Sequence, residues 1–321
     1  MKAIVIDQPG GPEVMRVGDA ASPPLGPRDI RITVHAAGIN RADLLQREGH
    51  YPPPAGASPI LGLECAGVVA ETGDEVKSFE PGERVMALLA GGGYAQETVV
   101  DEGSVFRVPD ALADTEAGAM PEAFLTAFSN IFMLAQAKNG ESILIHGGGS
   151  GIGTAATTLC KLAGMRVLVT AGSAEKCARC IDHGADVAIN YKDEDFVDKA
   201  RGVDVVLDHL GARYLPRDLE AMARGGRVVI IGSMGGARTA EIDVTKLLAS
   251  RQQIIGSTLR GRPLDEKAAI VSAFLDRFGD DLRAGRIRPV IDSVFPIARV
   301  ADAHRRMASS EHFGKIVVKV R

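Results

Sequence analysis

From Asp29 to Ile39 apolar and polar side chains alternate, the period of a strand with one buried face. Shorter apolar stretches at Cys65–Thr72, Arg84–Leu89 and Ala95–Val100 predict further strands. Turn signals separate them: Pro9-Gly10-Gly11-Pro12, Pro52–Pro54, Pro81-Gly82 and Gly91–Gly93. Short strands joined in this way predict an irregular, barrel-like antiparallel domain over 1–121. After Pro121 the texture changes. A helical stretch, Glu122–Ala137, runs into the stop signal Asn139-Gly140. Apolar runs then recur at Ser142–His146, Arg166–Thr170, Asp186–Asn190, Asp204–Asp208, Arg227–Gly232 and Gln253–Ser257, with helical spacers between them. Six such runs describe an α/β doubly wound parallel sheet over 122–262. Beyond Pro263 a helix (Asp265–Arg283) and two short strands (Val290–Phe295, Lys315–Val320) form a tail, 263–321, expected to pack back on the first domain.

Composition narrows the class without changing the architecture. A chain of 321 residues is more than one core usually organises, which agrees with two domains. The net charge of −4 offers no basic excess for a phosphate backbone, so nucleic acid is not an expected partner. The apolar start at Met1–Ile6 ends at Asp7, and the longest apolar candidate, Ala119–Ala137, is broken by Pro121 and Glu122, so neither a signal peptide nor a membrane span is expected. Four dispersed cysteines (Cys65, Cys160, Cys177, Cys180) do not make a disulfide scaffold. A cytoplasmic enzyme in a reducing compartment is the expectation.

The strongest local signal is the strand Ser142–His146 running into Gly147-Gly148-Gly149-Ser150-Gly151-Ile152-Gly153 and then an Ala-rich helix. A strand, a glycine turn and a helix N-terminus turn backbone N–H groups and the positive dipole end toward a pyrophosphate. The spacing is Gly148-x-x-Gly151-x-Gly153, with Thr154 where the dinucleotide pattern has its last glycine. Tight strand–helix turns need glycine for steric reasons as well; the position at the first turn of a six-strand pattern favours a dinucleotide. An NAD site places an acid about 20 residues downstream, at the end of the second strand. Here that strand ends in Ala171-Gly172-Ser173, with Lys176 and Arg179 behind it. A hydroxyl and two cations suit a 2′-phosphate, so NADPH is the expected cofactor, although Lys176 and Arg179 also read as solvated residues of a surface helix.

With these residues assembled, the chain resembles the medium-chain dehydrogenase/reductase superfamily along its length. Within it the chain is similar to the zinc-free quinone oxidoreductases related to zeta-crystallin, and most of all to the type induced by a tumour suppressor in animals. The resembling segments include Gly38-Ile39-Asn40-Arg41-Ala42-Asp43-Leu44, Gly62-Leu63-Glu64-Cys65-Ala66-Gly67, Leu125-Thr126-Ala127, Thr170–Ser173, Asn190-Tyr191-Lys192, Asp208-x-x-Gly211, Ser257-x-Leu259-Arg260 and Gly314–Val317. The resemblance implies a GroES-like catalytic domain, a Rossmann domain and a cofactor cleft between them. Zinc-dependent relatives carry Cys where Asn40 stands and His where Leu63 stands; an amide and an alkyl group are not zinc ligands. Their lobe of four closely spaced cysteines has no counterpart after Val85, and Cys177-x-x-Cys180 lacks a second pair, so no metal is expected.

Without a Lewis acid, acceptors that are already electrophilic fit best: quinones first, α,β-unsaturated carbonyls as the alternative. A third reading is an NADPH-binding protein with no important turnover. The resemblance places Tyr51 at the nicotinamide end, where its phenol would bond an acceptor oxygen or the carboxamide, unless it is a turn tyrosine packed on Pro52–Pro54. It places Asn40 as a donor to a developing oxyanion. It places Asp43 beside Asn40 at the active site as a third catalytic residue, unless it only braces the loop or orients Arg47. The cofactor set that it implies is Thr126, Gly148, Ser150, Gly151, Ile152, Gly153, Ser173, Lys176, Tyr191, Gly232, Ser233, Met234 and Leu259, with His209 facing the nucleotide and Lys315 at the cleft mouth. His146 reads as a satisfied structural histidine. Loops Gly49–Gly56 and Gly91–Tyr94 are short and poor in charge, which suits a neutral planar or apolar acceptor. The apolar edge strand at Gln253–Ser257 predicts a homodimer.

Overall fold

The alternation at Asp29–Ile39 becomes a strand over those same residues, with Ile30, Ile32 and Val34 buried. The computed structural model describes residues 1–238 and 240–321. In chain order it opens on an antiparallel pair, β1 (Lys2–Val5) and β2 (Arg16–Asp19), followed by β3 (Asp29–Ile39) and helix α1 (Arg41–Arg47). Then come β4 (Glu64–Thr72), β5 (Arg84–Leu88), β6 (Glu97–Asp101), β7 (Val105–Arg107) and two helices, α2 (Asp114–Ala117) and α3 (Pro121–Phe128). The 11-residue length of β3 lets its first half pair with β6 (Asp29–Thr33) and its second half with a late strand of the chain (Ala36–Ile39). On its other edge β4 approaches so closely that a Cβ at Gly67 would lie 1.9 Å from the Thr33 carbonyl oxygen, and only glycine fits there.

The helix expected as Glu122–Ala137 is cut in two. After α3 the chain widens into a π-helical turn, Ser129–Leu134. The cause is local: the Asn130 amide (2.7 Å) and the Ser129 hydroxyl (3.3 Å) both donate to the Thr126 carbonyl, capturing an acceptor that a regular helix would give to a backbone N–H.

The six apolar runs all become parallel strands: β8 (Ser142–Ile145), β9 (Arg166–Ala171), β10 (Val187–Asn190), β11 (Val203–Asp208), β12 (Met222–Ile230) and β13 (Gln253–Gly256). Helices α4 (Gly151–Leu162), α5 (Ala174–Asp182), α6 (Phe196–Lys199), α7 (Leu215–Ala221) and α8 (Val244–Ser250) connect them. The spatial order β10-β9-β8-β11-β12-β13 reverses direction between β8 and β11. That switch point opens a crevice at the carboxyl ends of the strands, where doubly wound sheets take nucleotides. Leu144, Leu168, Ile189, Val206 and Val228, one from each of five strands, share one core cluster. Each buried aliphatic side chain contributes roughly 1.5–3 kcal/mol.

The tail supplies α9 (Leu264–Arg283), β14 (Ile291–Pro296), α10 (Val300–Ala308) and β15 (Lys315–Lys319). β15 lies between β14 and β3, completing a seven-stranded sheet. The chain thus divides into two compact units, Met1–Leu125 with Leu259–Arg321, and Thr126–Thr258. Among the described residues no helix is long and apolar enough to cross a membrane.

Candidate active-site elements in the two units

In the unit Thr126–Thr258, the turn after β8 is shaped by what its glycines exclude. Gly147 has a φ of +67°, and a Cβ there would lie 2.6 Å from the His209 ring. At Gly148 a Cβ would meet the Val169 side chain at 2.6 Å; at Gly153 it would meet the Gly147 carbonyl oxygen at 2.3 Å. The loop is therefore folded tightly on itself, with Gly148 and Gly153 buried and Ser150, Gly151 and Ile152 partly exposed. Ser150 caps α4, its hydroxyl accepting from the Gly153 N–H at 2.9 Å, while Gly151 and Ile152 form the first turn. Beneath the turn runs a buried relay. The Gly147 N–H donates to Thr170 Oγ1 (3.2 Å), which bonds His146 Nδ1 (3.1 Å); His146 Nε2 in turn bonds Asp218 Oδ1 (2.8 Å). The Asp218 carboxylate accepts from His146 Nε2 and holds the ring in place beneath the turn. Phe196 and Tyr214 pack edge-on against the ring.

The loops after β11 and β12 are stitched together, with the Met234 N–H donating to the His209 carbonyl (3.1 Å) and the Gly235 N–H to that of Leu210 (2.7 Å). This sets Gly232, Ser233 and Met234 beside His209, with Ser233 and Met234 exposed. Asp208 accepts from the Leu210 and Gly211 N–H groups (2.6 and 2.9 Å) and shapes the same turn. Burial, aided by Asp218, pushes its carboxyl up to about 6. At the end of β9, Ser173 caps α5 by accepting from the Lys176 N–H (3.2 Å). Tyr191 lies across Gly172, where a Cβ would be 2.7 Å from its hydroxyl oxygen. Burial pushes the Cys180 thiol up to about 12, so it stays protonated and packs as a small apolar group. Thr126, at the start of the unit, is buried and holds the π-helical turn through its carbonyl.

In the other unit, Asn40 follows β3 and starts α1. Its Oδ1 accepts from the Lys315 ammonium at 2.6 Å and its Nδ2 donates to Glu64 Oε1 at 2.9 Å. Lys315 and Glu64 form an ion pair of 2.6 Å in which the two side chains are 3% and 0% exposed. Lys315, expected at a cleft mouth, is thus a buried group whose ammonium also donates to the Ile39 carbonyl. Pairing with Glu64 is what makes its burial tolerable. Asp43 braces the loop: it accepts from the Asn40 N–H (2.8 Å), the Gly62 N–H (3.1 Å) and the Tyr94 hydroxyl (2.9 Å). Burial pushes it up to about 6 against those three hydrogen bonds. Arg47 is held elsewhere, by the Gly10 carbonyl and His304 Nδ1. Tyr51 is half-buried under the Arg260 guanidinium, 5.2 Å from its ring centre, and burial pushes its phenol up. Arg260 is pinned by the carbonyls of Ala90 and Tyr51 and by Gln46 Oε1. Leu259, beside it, is buried.

Two known family patterns match the chain: the alcohol dehydrogenase GroES-like domain over 26–110, within the first unit, and the zinc-binding dehydrogenase pattern over 183–318, which takes in parts of both units. A quinone oxidoreductase of Rattus norvegicus is 31% identical, covering 99% of this chain and 97% of that protein. The chain belongs to the quinone oxidoreductase family of medium-chain reductases. The Homo sapiens quinone oxidoreductase is 30% identical over the same shares. Among solved structures, the Escherichia coli quinone oxidoreductase complexed with NADPH superposes at a TM-score of 0.86 with 25% identity over all of both chains. An NAD-dependent alcohol dehydrogenase superposes at 0.87 with 30% identity, again over all of both chains.

The zinc in the second pattern's description finds no donor set among the described residues of this chain. Asn40 spends both ends of its amide on Lys315 and Glu64, Leu63 offers no donor, and a cation already stands beside the Glu64 carboxylate. Reading the sequence singles out Asn40, Asp43 and Tyr51 but misses Glu64, Tyr94 and Glu122 as members of the same buried cluster. Glu64 sits within the quoted Gly62-Leu63-Glu64 motif, which is a signal; Tyr94 and Glu122 have none, because their partners lie 51 and 58 positions away.

Proposed function

We propose that the chain is an NADPH-dependent, metal-independent quinone reductase. The observation that carries this reading is the pairing of a glycine-turn nucleotide cradle that ends in Ser173 and Lys176 with an active-site position, Asn40, tied to a lysine in place of a metal ligand. Full-length relatives named quinone oxidoreductase support it. NADPH, when bound, supplies a hydride to an electrophilic acceptor. Gly151 and Ile152, in the first turn of α4, offer their backbone N–H groups and the helix N-terminus to the pyrophosphate, while Gly148, Ser150 and Gly153 hold the turn in shape through N–H bonds to Thr170, Gly147 and Ser150. Ser173 and Lys176, with Tyr191 alongside, receive the adenosine 2′-phosphate; His209, Gly232, Ser233, Met234, Thr126 and Leu259 line the nicotinamide side. Tyr51 donates a hydrogen bond from its phenol to an acceptor oxygen, and Asn40 is oriented for the developing charge by Lys315 and Glu64. Asp43 and Lys315 position these groups without touching the acceptor.

Initial rates with NADPH across matched quinones and enones, run with a chelator present, test the proposal. Preferential turnover of quinones unaffected by the chelator is expected. Turnover of enones alone would move the enzyme to alkene reduction, and no turnover with either would contradict the reading.

A homodimer is part of the same proposal. β13 ends the six-stranded sheet, and the adjoining α8 exposes Val244 at 57% and Leu248 at 71%. An apolar edge of this kind is commonly covered by a second copy across a two-fold axis. Sedimentation at micromolar concentration is expected to give a dimer; a monomer overturns it.

A further inference from the structure

Glu122 stands in the first turn of α3 and has no part in the roles described above. Its backbone N–H donates to Glu64 Oε2 at 2.9 Å, which seats the helix start on the Asn40–Glu64–Lys315 cluster. Its own Oε2 is buried without a hydrogen-bond partner, while the residue as a whole keeps partial contact with solvent. Titratable and charged groups face it from every element packed around it: Glu64 from β4, Asp43 from α1, Lys315 from β15 and Lys267 from α9. Tyr51 and Arg260 feel its charge from the loops on the acceptor side. An ionised carboxylate oxygen left without donors is costly, and protonation relieves that cost. Burial, and then the neighbouring Glu64 carboxylate, push Glu122 up to about 8, so it holds its proton at neutral pH.

The other acids of the cluster are committed. Asp43 has three donors on its two oxygens, and Glu64 is paired with Lys315. Tyr51 is a phenol that burial makes a still weaker acid. One carboxyl is left with a proton to give and cations nearby to steady the carboxylate it leaves behind.

We propose that Glu122 is the proton donor of the reduction, delivering its carboxyl hydrogen to the acceptor oxygen beside Tyr51. The assignment rests on the reductase reading above. As the acceptor takes up the hydride, negative charge develops on its oxygen; the Glu122 O–H bond breaks, an O–H bond forms on that oxygen, and the hydroquinone leaves neutral. Lys315 and Lys267 hold the resulting carboxylate until water returns a proton to it through the partly exposed side of the residue.

The test is Glu122→Gln, which keeps shape and polarity but has no acidic hydrogen, compared with Glu122→Asp and wild type in kcat, KM, NADPH affinity and the pH profile of kcat with one quinone. Loss of about 100-fold in kcat is expected for the glutamine variant, the scale of a general acid, with NADPH affinity unchanged. Wild-type kcat should fall above about pH 8, that limb should vanish in the glutamine variant, and Glu122→Asp should restore part of the rate with a displaced limb. Wild-type kcat and pH limb in Glu122→Gln would overturn the proposal. So would parallel loss of NADPH binding and melting temperature in both variants, which would make Glu122 structural. Failure of the wild type on every quinone and enone would instead remove the reductase reading on which the assignment rests.

Discussion

At Gly153 a single added carbon would sit 2.3 Å from a backbone oxygen; at Lys315 a full positive charge sits 2.6 Å from a buried carboxylate. In the proposed reading, the unit Thr126–Thr258 makes its nucleotide site from backbone amides, glycines and hydroxyls, with the His146–Asp218 pair closed off beneath the turn. The other unit makes its site from ionised side chains withdrawn from water: Asp43, Glu64, Lys315 and Arg260. An anion such as pyrophosphate needs close approach to many weak donors, which glycine permits. An acceptor oxygen that gains charge during reaction needs a few strong donors already held in place, which buried pairs provide at a cost in desolvation.

Breaking the charged unit should have the largest effect on stability. Lys315→Met leaves Glu64 buried and unpaired and should destabilise by about 3–5 kcal/mol. Adding Glu64→Gln should recover much of that loss in thermal melting. A melting point unchanged by Lys315→Met would mean that the pair is not a structural element. Breaking the backbone-built unit should cost less in folding and more in binding. Gly153→Ala forces the turn open, costing roughly 1–3 kcal/mol as other overpacked sites do. NADPH binding, read by calorimetry, should then be lost; retained affinity would show that the turn does not hold the cofactor.

Acid should separate the units further. His304, buried beside Arg47 in the first unit, is pushed down to about 3 from 6.5 by burial and then by that guanidinium. The unfolded chain therefore binds a proton that the folded chain refuses, so its contribution is present above about 6.5 and is lost as pH falls toward 3. Asp43, Asp208 and Glu122 are shifted upward and act in the opposite sense, so the difference between wild type and His304→Gln is the quantity to follow. That difference should change by roughly 2–3 kcal/mol between neutral pH and pH about 4. A pH-independent difference would refute the buried neutral histidine. The smallest effect expected is at the rim: Lys176→Ala should weaken NADPH by about tenfold while leaving NADH nearly unchanged, a difference of about 1.4 kcal/mol. Equal losses would remove Lys176 from the phosphate pocket.

The same contrast explains what could be read from the chain itself. The parallel strands and the turn at Gly147–Gly153 lie within consecutive residues, so period and spacing reveal them. The helix break after Phe128 was hidden because it depends on two side chains, Ser129 and Asn130, competing for one carbonyl. β1, β2 and β7, each of three or four residues, are too short for alternation to show. Lys315 read as a residue of a cleft mouth, since nothing adjacent to it announces Glu64 or Asn40 as partners. Tyr94 and Glu122 join the cluster only through contacts across the fold.

The most direct measurement is the initial rate of NADPH oxidation with a single para-quinone, with NADH run alongside under the same conditions. The account predicts turnover with NADPH, and kcat/KM about tenfold or more higher than with NADH, the scale set by one charge-assisted contact to the 2′-phosphate. Equal rates with both nucleotides, or none with either, would contradict it.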